Sequence, residues 1–133
     1  MNKYEEIRDA IDIYLMKRFK YRCSLVYLTT DNVMTTRRNS RIDLYLRIRR
    51  KESLFPPDCL IIARISFKKE RIGNGTHFVR HLTEIAIKYG YKYIGIESVN
   101  DKSKSFAKKL GFCSIDDFNY VATTEKLIKY FHN

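Results

Sequence analysis

A chain of 133 residues is long enough to bury one hydrophobic core and short for two, so a single domain with a single site is expected. Its 44% hydrophobic content, ten Tyr and eight Phe exclude a disordered tract, and no apolar run approaches the roughly 18 residues of a membrane span. The 26 Lys and Arg against 15 Asp and Glu give a formal charge of +11, which favours polyanionic partners such as RNA, DNA, anionic cofactors or acidic protein surfaces without choosing among them.

Residues 3–20 read as a helix. Tyr4, Ile7, Ile11, Tyr14 or Leu15, and Phe19 recur at three- and four-residue steps, while Glu5, Glu6, Arg8, Asp9, Asp12 and Lys17 fall on the other face. The early carboxylates suit the positive end of the helix dipole, and they also argue against a secretory leader, which leaves the cytoplasm as the default compartment. Residues 22–29 are short, apolar and strand-prone, and a turn is expected at 29–32. From Arg41 to Arg49 the alternation is strict, with Ile42, Leu44, Leu46 and Ile48 on one face and Arg41, Asp43, Tyr45, Arg47 and Arg49 on the other. That pattern predicts a half-buried antiparallel strand. After Pro56-Pro57, residues 59–67 form a nearly continuous apolar run, as expected of a strand covered on both sides.

A glycine loop at 73–75 opens a second helix, predicted at 75–89, with Phe78, Leu82, Ile85, Ala86 and Tyr89 inward and Gly90 placed for a left-handed C-cap. Residues 91–98 read as a strand. A short helix is predicted at 101–110, started by the capping pair Asn100-Asp101 and stopped by Gly111. Strand, loop, helix, strand and helix in that order make a βαβ unit with a parallel pair. The tail admits a strand at 118–123 followed by a helix from Thr124, or one helix from Thr123, and the first is preferred. Cys23, Cys59 and Cys113 lie far apart without metal-ligand spacing, so reduced, mostly buried thiols are expected and neither a zinc site nor a disulfide framework.

Gly73 and Gly75 let the backbone turn tightly before a helix whose first N–H groups have no partner, which is the physical basis of an anion site. Taken alone, the same pattern is equally a tight strand-to-helix turn. Two blocks together say more. Residues 65–75 (ISFKKERIGNG) and 99–112 (VNDKSKSFAKKLGF) resemble the paired motifs of the Gcn5-related N-acetyltransferase (GNAT) family, over about 60–112. The resemblance implies an α/β fold, a mixed twisted sheet with flanking helices, from which this chain is expected to depart by lacking the family's first strand, since it opens directly on a helix. Its parallel strands would splay around the pantetheine arm of acetyl-CoA. It implies that the amides of Arg71, Ile72, Gly73, Asn74, Gly75 and Thr76 cradle the pyrophosphate, that Ile65, Ser66 and Phe67 run beside pantetheine, and that Asn100, Ser103 and Phe106 line the far side. Residues 1–58 would then be the variable acceptor-side half, 59–112 the acyl-CoA half and 113–133 a closing strand and helix.

The chain departs from that pattern at Glu70, an anion where the family prefers Gln or Arg, and at Ala107, where many members carry a tyrosine that protonates the leaving thiolate. Direct transfer needs a route for the amine proton and a donor for the thiolate. Glu97, Ser98 and Tyr120 are the candidates, although Glu97 reads equally as a solvated strand end and Tyr120 as core. Cys113 could be a nucleophile but follows an apolar stretch typical of packing. His77 and His81 stand four apart with no third ligand, which reads as a solvated stripe with Glu84 and Lys88 and not as a metal site. Arg37, Arg38, Arg41, Tyr45, Arg47 and Arg49 make a basic strand with an interleaved ring, which suits either nucleic acid or another acidic partner, or else simply a soluble edge. Two functions follow: an acetyl-CoA-dependent N-acetyltransferase acting on an amine of a macromolecule by direct attack, or a GNAT-like module without catalysis that binds nucleic acid or a host protein.

Overall fold

In the computed structural model, which describes residues 2–35, 41–48, 54–68, 73–97 and 99–132, the chain begins with α1 (Lys3–Phe19) and a meander of β1 (Val26–Leu28), β2 (Asn32–Thr35), β3 (Ile42–Arg47) and β4 (Cys59–Phe67). It continues through α2 (Asn74–Lys88), β5 (Tyr93–Ile96), α3 (Asp101–Lys109), β6 (Cys113–Ser114), β7 (Tyr120–Thr123) and α4 (Thr124–His132). One sheet carries the strands in the order β1-β2-β3-β4-β5-β7-β6, antiparallel throughout except for the parallel β4–β5 pair. The crossovers through α2 and α3 move the same way across the sheet, so right-handed connections put both helices on one face. Ile7, Ile11 and Leu15 of α1, Phe78 and Leu82 of α2, Ala107 of α3 and Leu127 of α4 share one core with Leu44, Leu46, Leu60, Ile62 and Ile94 of the sheet, so all four helices flank that face. The other face carries a smaller cluster of Phe55, Cys59 and Ile61, supported by Tyr93, Ile115 and Val121.

The expected α1 forms because its apolar residues repeat every four positions and its ends are closed. The Asn2 side chain accepts the Glu5 amide at 2.9 Å, and Lys20 ends the helix in the left-handed region at φ 59°. Asp12, assigned to the polar face by periodicity, is instead 9% exposed. Its carboxylate accepts the Ser24 hydroxyl at 2.6 Å and the amides of Leu25 at 2.7 Å and Val26 at 3.3 Å, and so anchors the start of β1 on the helix. The second helix is as expected, with Gly90 at φ 87°, but its buried stripe is wider and includes Val79 and Thr83, the latter returning its hydroxyl to the Val79 carbonyl.

Several strands differ from expectation. The strand predicted at 22–29 shortens to Val26–Leu28, because Asp12 holds its lead-in, and the turn at 29–32 joins it to a β2 that polar Asn32 and Thr35 concealed. The two-residue β6 was equally hidden. Only the first four residues of β4 are buried on both faces, since from Ala63 onward the strand alternates. Cys59 is buried, but Cys23 and Cys113 are exposed, so the thiols are not mostly core and Cys113 is not the packing residue its apolar neighbours suggested. The tail takes the strand-then-helix form at β7 and α4. Among the described residues no strand comes before α1, and no helix is long and apolar enough to cross a membrane.

Gly95 of β5 has a packing reason. A Cβ there would lie 2.5 Å from two atoms of the Phe55 ring, so a bare backbone is what lets Phe55 roof the smaller cluster.

Candidate active site

The parallel pair is short. Partners run from Cys59↔Tyr93 to Ile62↔Ile96, and the Glu97 amide donates the last bond to the Ile62 carbonyl at 3.0 Å. Strand β4 continues to Phe67 with β3 as its partner, so that, among the described residues, positions 63–67 have no strand partner on the side where β5 has ended. The register against β3 passes from Ile62↔Leu46 to Arg64↔Tyr45, so Ala63 is an extra residue, a bulge. Bulges bend and twist a strand, and this one lies where the two parallel strands part. Past it, Ile65 and Phe67 pack partly buried against the helix-side core, whereas Ser66 is exposed on the opposite face.

Helix α2 follows this stretch in the chain, and its Phe78 ring meets Phe67 edge-on at 6.2 Å. Gly73 is its N-cap at φ 89°, a conformation that needs glycine, and no side chain caps the first turn. By contrast, Asn2 caps α1 and Asn100 caps α3, the latter by accepting Ser103 N at 2.9 Å and Ser103 Oγ at 3.1 Å. The N-cap of α2 thus contributes no side-chain acceptor of its own to the first turn, unlike those of α1 and α3. A Cβ on Gly75 would come within 3.3 Å of the Phe106 ring, so the two sequence blocks that carry the family resemblance touch at this point. Thr76 is half-buried next to them, and Asn74 turns inward, 4% exposed, to accept the Arg18 guanidinium at 3.0 Å. Of the residues named from the sequence, Arg71, Ile72, Ser98, Arg37, Arg38 and Arg49 lie outside the described residues, as does Glu70.

At the end of β5 the two faces of the sheet hold different chemistry. Tyr120 of β7 stands opposite Ile96 and belongs with Ala107 to the helix-side core, 3% and 0% exposed. Glu97, one residue on, is held on the other face by Arg47 of β3, Nε to Oε1 at 2.9 Å. The Tyr45 ring lies 5.0 Å from the Arg47 guanidinium and 5.6 Å from that of Arg64, which bonds Asp43 at 2.6 Å. The Tyr45 hydroxyl accepts from Arg47 at 3.4 Å and from Asn32 Nδ2 at 3.2 Å. Burial alone would lower the Arg47 guanidinium, but the hydrogen bond and charge of Glu97, with Tyr45, hold it above its ordinary value.

The structure thus brings together two groups that the sequence kept apart, the candidate base and the basic strand. Of the arginines named for that strand, Arg47 faces Glu97, while Arg64 of the neighbouring β4 faces Asp43. Lys102, Lys108 and Lys109 of α3 are exposed and carry no ion pair among the described residues.

His77 is exposed and His81 half-buried, in keeping with a solvated stripe, and both also meet Tyr14 of α1. The Tyr14 hydroxyl lies 2.6 Å from His77 Nδ1, and its ring stacks on His81 at 4.3 Å. With Ala10, Ile13, Lys17 and Arg18 they line a shallow cleft of about 430 Å³ between the helices. Burial pushes the Tyr14 phenol up to about 12 despite Arg18, and burial, with Arg18 and Arg80 for His77, lowers both imidazoles. The signal available in sequence was the match of Tyr14 with the four-residue histidine spacing, which nothing local distinguishes from a surface pattern.

No family model matches the sequence, and no curated protein does. Among solved structures the chain is similar to a probable acetyltransferase of the GNAT family from Chromobacterium violaceum ATCC 12472, at 14% identity and a TM-score of 0.52 over 74% of this chain. The match covers 62% of that protein, less than two thirds of its length. It is also similar to the structure of a KacTA–DNA complex, at 16% identity and a TM-score of 0.56, over 93% of this chain and 85% of that one.

Proposed function

We propose, from a GNAT-like fold in which β4 runs on beyond the end of β5 and leads to a helix without a side-chain N-cap, that the chain is an acetyl-CoA-dependent N-acetyltransferase acting on an amine of an acidic or nucleic-acid-associated macromolecule. The observation that carries this reading is one of position. The stretch 63–67 beyond the end of β5, the φ 89° N-cap Gly73 that follows it in the chain and the Gly75–Phe106 contact together suit a chain-like amide ligand ending in a pyrophosphate.

The residues fit that ligand. The amides from Gly73 to Thr76 would hold the pyrophosphate, and Ile65 and Phe67 would meet the pantetheine arm. Acetyl-CoA, when bound, supplies an acetyl thioester whose carbon–sulfur bond breaks as the new nitrogen–carbon bond forms. Glu97 would take the amine proton at its carboxylate on the outer face. Tyr120, on the helix side, would return a proton to the departing sulfur, a role that Ala107 cannot fill. The division of acid and base between two faces supports a donor and an acceptor that approach from opposite sides.

A second reading, a binding module without catalysis, is supported by the buried methyl of Ala107 where a proton donor would stand and by the exposed lysines of α3. The solved KacTA–DNA complex adds nucleic acid as a partner class to test. Thermal unfolding with acetyl-CoA, against a CoA-free nucleotide polyanion as charge control, separates the two. A ligand at a hundred times its Kd adds about 2.7 kcal/mol, several degrees for a domain of this size. A shift specific to acetyl-CoA is expected; equal shifts with both ligands would leave the binding module.

A further inference from the structure

Resting on the acetyltransferase reading, we propose that Arg47 is a latch on Glu97 which a phosphate group of the acceptor releases, so that the site favours amines borne on phosphorylated molecules. Three observations lead there. The carboxylate expected to accept the amine proton is occupied by the Arg47 guanidinium at 2.9 Å. The Arg47 side chain is 43% exposed and that of Glu97 only 21%, so an anion arriving from solvent reaches the guanidinium first. In this same position Arg47 also meets Tyr45, its Nη1 3.4 Å from the hydroxyl and its guanidinium 5.0 Å from the ring, so a neighbour is at hand to hold it when the carboxylate lets go.

A phosphate outcompetes a carboxylate for arginine, since it brings nearly two charges and three acceptor oxygens to a planar fork. Drawing Arg47 away changes Glu97 in a definite direction. It loses its cation and gains an anionic neighbour, which raises its affinity for a proton and makes it a stronger base near neutral pH. Among the described groups on this face, Arg64 is held by Asp43, so Arg47 is the cation that governs Glu97. The same contact that anchors the acceptor thereby activates the base.

Ethanolamine and phosphoethanolamine carry the same kind of amine with and without the phosphate, which isolates the effect. With the full chain labelled at glutamate side-chain carbons, the Glu97 carboxyl signal, identified by its loss in Glu97→Gln, is titrated by NMR. Phosphoethanolamine is expected to raise its midpoint in the wild type while ethanolamine leaves it in place. In Arg47→Ala the midpoint responds to neither, and Arg47→Lys, which keeps the charge, gives a smaller response than the wild type. In turnover, the wild type should favour phosphoethanolamine by about tenfold in kcat/KM, a typical coupling for linked events. Arg47→Ala should erase that preference by gaining on ethanolamine. A Glu97 midpoint indifferent to phosphoethanolamine, or a preference that survives Arg47→Ala, overturns the latch. A responsive Glu97 in a chain that neither binds acetyl-CoA nor turns over removes the acetyltransferase reading and leaves a phosphate-responsive ion pair.

Discussion

Gly75 is the sharpest point at which to test the anion loop. It is the second residue of α2, and a Cβ would lie 3.3 Å from two atoms of the Phe106 ring. Gly75→Ala gains up to about 1 kcal/mol of helix propensity and loses a comparable amount by pressing on that ring, so its stability should stay within about 1 kcal/mol of the wild type. Gly75→Glu is different in charge and similar in fold, because a carboxylate in the first turn suits the helix dipole. A unit negative charge about 4 Å from a bound pyrophosphate costs about 4 kcal/mol at an effective dielectric of 20, and somewhat less once solvent screening is counted. Calorimetric titration should therefore show acetyl-CoA affinity falling by at least about a hundredfold, with a melting temperature within a few degrees of the wild type. A folded Gly75→Glu chain with unaltered affinity would refute the placement of the pyrophosphate at this loop.

Other consequences concern the scaffold. Asp12→Ala leaves the amides of Leu25 and Val26 without their acceptor and should lower stability by about 2–4 kcal/mol in urea unfolding; a loss below about 1 kcal/mol would mean that water replaces the carboxylate. Gly95→Ala puts a methyl 2.5 Å from the Phe55 ring and should cost about 1–3 kcal/mol, with a smaller cost in a Phe55→Leu background, measured as a double-mutant cycle. The pH dependence has a defined sign. His77 and His81 have folded pKa values below the ordinary 6.5, so the unfolded chain binds more protons, and the stability present above 6.5 is lost as pH falls through the lowered values. Melting temperature should therefore decline on acidification below 6.5, and His77→Gln with His81→Gln should flatten that decline.

Much of this fold is written in local patterns. The four-residue spacing of Ile7, Ile11 and Leu15, the alternation from Ile42 to Ile48 and the capping pair Asn100-Asp101 each fix an element by rules that need no distant partner. What escaped was set by tertiary contact. Asp12 is buried because strand amides come to it from a dozen residues away. His77 and His81 meet Tyr14 of another helix, although His77 stays exposed. Arg47 appears in sequence as one cation in a basic row, and only the sheet reveals Glu97 at its guanidinium. The glycine loop and Phe106 were legible as a pair through family resemblance, while their contact was not.

The bulge at Ala63 has a geometric meaning of its own. On either side of it the side chains of β4 keep strict alternation, with Ile62 and Ile65 toward the helices and Ile61 and Arg64 away from them. Removing Ala63 would splice these two stretches into a regular strand, every rung to β3 preserved and no residue transferred between faces. The opening beside β5 is thus a matter of chain length at a single position, one residue of slack that the neighbouring strand lacks. A chain shortened there would retain all the side chains of the candidate site and lose only the divergence between the two parallel strands.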